Sequence, residues 1–264
     1  MMWGLSRATL DSQLLSAVRN AGAHLFQPAR FEHDHIRDLL TNQTRGMSTR
    51  LVIRADGKAL HVTTSDLGVK AHFRDVDSDP QTISLFALHG HYVGLAPIER
   101  GIWNLAMSVP SERVRSFHGD LNQLFTRILS ENVELARRFK RASRATDWLS
   151  SPLPRFSVSQ AWKPNEIPVG NAAAALEPIG GEGMGLAMRS AELAADAIDV
   201  ALRADKPVDV ISLRRDYQKL WKWRSLAARA TAMLMSRPRC AELLVTAIQS
   251  FQPAIRPMLV PLGK

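Results

Sequence analysis

The sequence has a single cysteine, Cys240, which excludes an intrachain disulfide framework and any cluster of thiolate zinc ligands. No uninterrupted apolar run reaches the roughly 18–20 residues that span a bilayer. The start, MMWGLSRATLDSQ, lacks the apolar stretch behind a basic one that marks a secretory signal. A soluble, cytoplasmic protein, attached at most to a membrane surface, is the expectation. The chain also lacks a GxGxxG turn between an N-terminal strand and a helix, and the acidic residue about 20 positions further on. Gly181, Gly183 and Gly185 do not replace it, because the third glycine has the wrong spacing. No Ser-His-Asp arrangement can be picked out, and no homeodomain, zinc-finger or RNA-recognition signature occurs.

What is present describes an ordinary globular chain. Its 264 residues, 45% apolar and 22% charged, suffice for one large domain or two small ones with a real core. The formal charge of +9 is unevenly placed: residues 203–264 hold 12 Lys+Arg against 4 Asp+Glu, a net of +8. Without a recognition motif this excess implies no nucleic-acid partner. It reads as a solvated basic face or as a surface that meets anionic membrane. Of the eight histidines, His33/His35 and His89/His91 are spaced by two. Gly90 marks a turn and no third ligand is evident, so no metal site is expected.

Along the chain, Leu10, Leu14, Leu15 and Val18 recur at helical spacing after Ser6-Arg7, and Asn20-Ala21-Gly22 closes that helix. Ala23–Phe26 reads as a short strand. Residues 51–62, LVIRADGKALHV, alternate around Asp56-Gly57 as a β-hairpin would. Between Ser84 and Val109 lie the runs SLFAL, HYVGLAPI and IWNLAMSV, separated by Gly90 and by Glu99-Arg100-Gly101, an antiparallel meander. Residues 111–149 are expected to be helical, with Val114, Phe117, Leu121, Leu124, Phe125, Ile128 and Leu129 as the apolar stripe. A strand over 154–162, a basic helix over about 212–236 and a Pro-punctuated tail complete the chain. On the last helix Leu213, Tyr217, Leu220, Trp221 and Ala228 form an apolar stripe, and Arg215, Lys219, Lys222 and Arg229 a basic face.

The most informative segment is VGNAAAALEPIGGEGMGLAMRSAELAADAI, residues 169–198. Four alanines, Pro178, Gly180, Gly181, Gly183 and Gly185 strip side chains from the backbone and permit close approach of another molecule. A helix follows, with Ala187, Ala191, Ala194, Ala195, Ile198 and Leu202 as its apolar stripe. Its glycine-rich start leaves unpaired N–H groups and the positive end of the dipole facing the loop, a setting for a delocalised anion or an electron-rich carbonyl edge.

This segment resembles the second FAD motif of the flavoprotein superfamily that includes para-hydroxybenzoate hydroxylase, the geranylgeranyl reductases and the flavin halogenases. The family pattern is V-G-D-A-A, a few small residues, Pro, then a G-x-G-rich turn opening a helix. The first part meets the ribityl chain of FAD, and the helix start faces the pyrimidine end of the isoalloxazine ring. The resemblance carries over Gly170, Asn171, Pro178, Gly181, Gly183 and Met184 as cofactor-binding positions. Asn171 stands where the family has Asp, which removes charge assistance from a ribityl hydrogen bond. GLSRATLDSQLLSAVRNAGAHL, with Arg7, resembles the unit that follows the FAD-binding βαβ. Residues 67–75 and 92–107 resemble the substrate-facing sheet. Ala55-Asp56-Gly57 is either the turn of the hairpin or a remnant of the family's ADG element, which touches flavin and pyridine nucleotide; Arg54 replaces a small residue there.

The resemblance implies an α/β (α+β) chain: an incomplete FAD-binding domain with an antiparallel substrate-side sheet and C-terminal helices. Residues 1–62 and 160–205 would be the remainder of the FAD domain, 63–159 the sheet domain with its helices, and 206–264 a basic helical region. It implies an FAD-dependent oxidoreductase, monooxygenase- or reductase-like, with NAD(P)H as a possible reductant and a small-molecule or lipid substrate. The missing GxGxxG unit implies weak FAD binding by this chain alone. The alternative is a non-catalytic remnant, or one part of a split flavoprotein whose partner polypeptide carries that unit. No catalytic side chain is identified.

Overall fold

The computed structural model describes residues 4–32, 35–57, 66–153, 158, 162–163 and 165–250. Its centre is an antiparallel sheet in the order β10-β5-β8-β7-β6. The strands are β5 (Leu67–Arg74), β6 (Ser84–Leu88), β7 (His91–Pro97), β8 (Trp103–Val109) and β10 (Leu149–Pro152), with β9 (Ser143–Arg144) on the end of β5. The meander expected between Ser84 and Val109 is β6–β7–β8, turning at Gly90 (φ 77°) and Gly101 (φ 69°).

Period-2 alternation makes the two faces of this sheet different. Val69, Ala71, Phe73, Val93, Leu95, Leu105 and Met107 point to one side. There they meet Val114, Leu124, Phe125, Ile128 and Leu135 from α2 (Ser111–Ser116), α3 (Leu121–Glu131) and α4 (Val133–Arg138). Phe73 anchors the layer, with ring centroids 5.5 Å from Phe125 and 5.0 Å from an edge-on Phe139. On the other face the same strands carry Gly68, Lys70, Gly94 and Ala106, paired across the ladders as Lys70–Ala106 and Gly94–Ala106.

A second core surrounds a two-stranded parallel pair, β4 (Val52–Arg54) with β11 (Glu166–Pro168). Ile167 and Val169 pack with Leu186 and Ala194 of α5 (Gly183–Arg203) and with Leu213, Tyr217 and Trp221 of α6 (Val210–Met235). The apolar stripe read on α6 is its buried side, and Arg215, Lys219, Lys222 and Arg229 are exposed. A small sheet of β1 (Ala29–Glu32), β2 (His35–Asp38) and β3 (Thr44–Gly46) follows α1 (Arg7–Asn20). Among the described residues no helix is long and apolar enough to cross a membrane.

The structure corrects several expectations. Ala23–Phe26 is loop; the strand begins at Ala29, where β2 supplies a partner. The helical run after residue 111 stops at Arg138, because Phe139 turns inward onto Phe73 and the chain then joins the sheet edge as β9 and β10. The strand over 154–162 falls largely outside the described residues, as does the second arm of the hairpin at 51–62. The described arm, β4, pairs in parallel with β11. The buried stripe of α5 is Leu186, Ser190, Ala194 and Ala201, while Ala191 and Leu202 are exposed. Ser190 can be buried because its hydroxyl accepts from Gly170 N–H and donates to Ala187 O, each at 2.8 Å. The tail contains α7 (Pro238–Ser250), with its proline at the first helical position, where no N–H is needed.

α1 has no buried residue, and Leu14 and Val18 are 44% and 43% exposed. The helix is held at its start: Ser6 N–H donates to Glu99 at 2.9 Å, and the Ser6 and Thr9 hydroxyls donate to the same carboxylate. These bonds, first from Ser6 and then from Thr9, lower the Glu99 pKa from 4.5 to about 2. A carboxylate with a depressed folded-state pKa stabilises above its unfolded value and loses that contribution as pH falls through the folded one. Amide-exchange protection of Thr9 and Leu10 is therefore expected to fall between about pH 4.5 and pH 2. In Glu99→Gln protection should be low throughout; an unchanged profile would show that α1 is anchored elsewhere.

Candidate functional site

β4 and β11 lie in register, Val52 opposite Glu166 and Arg54 opposite Pro168, and Val169 N–H donates to Arg54 O at 2.9 Å. Being parallel, they open in one direction, into Asp56-Gly57 and into Gly170-Asn171. Ligands of open α/β sheets sit outside such carboxyl ends. Arg54 spans the two loops: one Nη is 3.5 Å from Ala172 O and its Nε is 3.7 Å from the Asp56 carboxylate. The pairing thus brings Asp56, Gly170 and Asn171 together, with the Asp56 side chain and Asn171 exposed.

Gly170 has φ 58°, and a Cβ there would stand 3.1 Å from the Ala187 Cβ. Glycine is required at that point by backbone conformation and by close passage of the loop over α5. The loop continues through a 3-10 turn at Pro178–Gly180, capped by Gly181 with φ 65°, and enters α5 at Gly183. A Cβ on Gly183 or Gly185 would meet no heavy atom within 4 Å. Glu182, at the N-cap, makes no side-chain capping bond, and among the described residues no side chain accepts from the first N–H groups of α5. Burial raises the Glu182 carboxyl pKa, and Arg224, 3.8 Å away, draws it back. Met184 is half-buried in the same turn.

Tyr217, fully buried, fixes this loop to the helices. Its hydroxyl lies 3.1 Å from Pro168 O and 3.0 Å from Ser190 O, so one side chain of α6 ties the end of β11 to α5. Arg7 is not part of the assembly. It pairs with Asp11 on α1 at 3.2 Å, and no hydrogen bond or ion pair joins it to the glycine loop among the described residues.

The turn at Pro178-Ile179 roofs a cleft of about 360 Å³ on the small-residue face of the central sheet. Gly68, Gly94 and Ala106 line its floor, Leu85, Leu149 and Leu153 extend its apolar walls, and among the described residues Lys70 is its only charged lining residue. At one end Tyr92 donates a 2.6 Å hydrogen bond to Glu177, the residue before Pro178. This bond ties β7 to the roof. Burial raises the pKa of both groups, and Asp66 adds to the rise at Glu177 while Arg229 opposes it. The roof also packs on α6, where Ile179 and Tyr92 meet Ala228.

Sequence reasoning missed Tyr92, Glu177, Lys70, Gly68 and Gly94. The signal was the parity of the strands: every second residue of LGVKAH and YVGLA (Gly68, Lys70 and His72; Tyr92, Gly94 and Ala96) is small or polar, opposite an apolar parity.

No family model matches the sequence, and no curated protein does. Solved structures do. The flavin-dependent brominase Bmp2 superposes with a TM-score of 0.76 over 99% of this chain and 70% of its own, at 16% identity. A variant of PqsL from Pseudomonas aeruginosa gives 0.65 over 88% and 70%, at 20% identity. A geranylgeranyl bacteriochlorophyll reductase-like protein from Thermoplasma acidophilum gives 0.64 over 97% and 75%, at 18% identity. These likenesses are of fold: the chain has the α/β architecture shared by FAD-dependent halogenases and geranylgeranyl reductase-like proteins, the fold that its glycine loop led us to expect.

Proposed function

We propose that this chain is the ring-facing and substrate-facing part of an FAD-dependent oxidoreductase, monooxygenase- or reductase-like. The observation that carries this reading is the position of the glycine turn. It opens α5 with uncapped N–H groups on one side and roofs an apolar cleft on the other. The residues present fit the ring end of FAD: Gly183 and Gly185 leave open space beside the helix start, and Gly170, Asn171 and Asp56 gather at the adjacent carboxyl ends. Gly181, Pro178 and Met184 shape the turn between them. When bound, the flavin would pass hydride or electrons to a substrate or to oxygen, with NAD(P)H as its reductant. The chain's own part is to hold the ring edge at the N–H groups of α5 and to keep the cleft apolar and dry.

In this reading residues 1–62 and 160–205 belong to the FAD side, 63–159 to the substrate sheet with its helices, and 206–264 to the basic helical region. The parallel β4–β11 pair supports joining the first two segments. A small-molecule substrate suits the size of the cleft; PqsL, with the same fold, has been crystallised with 2-aminobenzoylacetate. We place the activity in the cytoplasm.

A second reading is favoured by surfaces that the described residues leave uncovered. The apolar side of α1 is uncovered, Ile53 of β4 is 53% exposed, and the parallel sheet has two strands among the described residues. A dinucleotide-binding βαβ unit, on a separate polypeptide, would cover these surfaces and complete the FAD seat.

The test is flavin retention through gel filtration. The chain alone should emerge nearly colourless, and the chain joined to a GxGxxG unit, in cis or in trans, should hold FAD. Stoichiometric FAD on the chain alone would remove the need for a second unit. Failure of the completed protein to hold FAD would remove the flavin reading.

A further inference from the structure

We propose that His91 is an acid-released latch: its buried, neutral ring holds the β6–β7 turn against α2 and the end of α6, and protonation of the ring frees that turn. The latch does not depend on the flavin reading.

His91 opens β7 and is 1% exposed. Its Nδ1 lies 2.9 Å from His89 O. A carbonyl can only accept, so Nδ1 carries the hydrogen of the neutral ring and Nε2 the lone pair. Nε2 is buried and has no hydrogen-bond partner among the described residues. In the neutral ring this leaves one acceptor unsatisfied. A second proton would go to Nε2 and place a charged donor there without an acceptor, which costs more.

The charges around the ring add to that cost. An Nη of Arg113, on α2, stands 3.5 Å from Nδ1. Both nitrogens carry hydrogen, so Arg113 is a cation beside the ring rather than a donor to it. Glu131 of α3 is the carboxylate that acts on the ring, and it is already shared by Arg113 and Arg127. Burial is the largest influence and lowers the His91 pKa from 6.5; Arg113 and the His89 ring lower it further, while His89 O and Glu131 oppose them.

The latch sits where three elements meet. Leu88 pairs with His91 across the hairpin, and Gly90 N–H, between them, donates to Ser236 O just past α6 at 2.9 Å. Tyr92 follows in β7 and carries the bond to Glu177, so the latch adjoins the tie to the roof of the cleft. A group whose folded-state pKa is lowered contributes stability above its unfolded value and loses it as pH falls through the folded one. Opening the turn returns the ring to water and to its ordinary proton affinity. Opening therefore becomes easier as pH falls below 6.5.

In the full chain, NMR can follow the His91 ring, and hydrogen exchange corrected for intrinsic rate can follow the Gly90 amide. The ring should stay neutral until the pH is well below 6.5. Below that value Gly90 protection should fall by up to about tenfold per pH unit, the slope for uptake of one proton. His91→Phe keeps a ring in the space and removes the proton site, so Gly90 protection should no longer vary with pH. Arg113→Met removes the neighbouring cation, so the ring should titrate closer to 6.5 and the pH dependence should shrink. This second variant decides the matter if His91→Phe does not fold, and an unchanged ring titration in it would overturn the proposal. So would a native His91 ring that titrates at or above 6.5, Gly90 protection that ignores pH, or a pH dependence that survives in folded His91→Phe.

Discussion

Tyr217→Ala is expected to lower unfolding stability by about 3–5 kcal/mol, the range for deleting a large buried aromatic side chain. Tyr217 is fully buried between Trp162 and Trp221, with ring centroids at 5.6 and 5.8 Å, so little nearby can collapse into the space. Its hydroxyl serves Pro168 O and Ser190 O, which are left without that donor when the ring is removed. Tyr217→Phe keeps the packing and removes only the hydroxyl, so it should cost about 1–3 kcal/mol. Urea unfolding of the two variants separates the contributions. If Phe and Ala cost the same, the hydroxyl would be the whole effect; if Phe costs nothing, the two carbonyls would be satisfied without it. Because Pro168 directly precedes the glycine loop, either variant should also loosen Gly170, seen as faster amide exchange there.

Gly183→Val is expected to leave stability almost unchanged and to weaken flavin binding by the completed protein roughly a hundredfold or more. The free chain has open space at this position, with no heavy atom within 4 Å of a Cβ. Valine is also no worse than glycine within a helix. In the proposed complex the ring edge occupies that space, and forcing methyl groups against it costs about 1–3 kcal/mol for overpacking alone, before the ring loses contact with the first N–H groups of α5. Flavin titration of the completed protein, beside a thermal melt without flavin, checks both halves. Normal affinity with an unchanged melt would show that the ring does not lie against α5. Gly170 is the contrasting case: its Cβ direction is already filled by Ala187, so side chains there should damage the fold itself.

The glycine loop was legible in the sequence because glycine and proline act locally. Positive φ at Gly181 and Gly170, and a proline opening the turn, are demands of the backbone that residue type alone announces. The meander and the stripe of α6 were legible for a related reason. Leu213, Tyr217, Trp221 and Ala228 repeat with the helix, and the alternation of β7 and β8 repeats with the strand. Arg7 was read differently, from resemblance rather than from backbone demands. Its place in a motif implied a cofactor contact, and in the structure its guanidinium lies exposed on α1 and pairs with Asp11.

The sequence by itself determined where the chain turns, which segments repeat as helix or strand, and where side chains are stripped from the backbone. Only the tertiary structure decided which faces are covered. The buried stripe of α5 runs through Ser190 rather than Ala191, since Gly170, twenty residues earlier, supplies the partner that lets a hydroxyl be buried. β4 takes β11 as its parallel neighbour across more than a hundred residues, and Tyr92 meets Glu177 across 85. Periodicity and turn chemistry are written within a few residues of where they act. Burial and hydrogen-bond satisfaction depend on partners distant along the chain, and those become neighbours only when the two cores have formed.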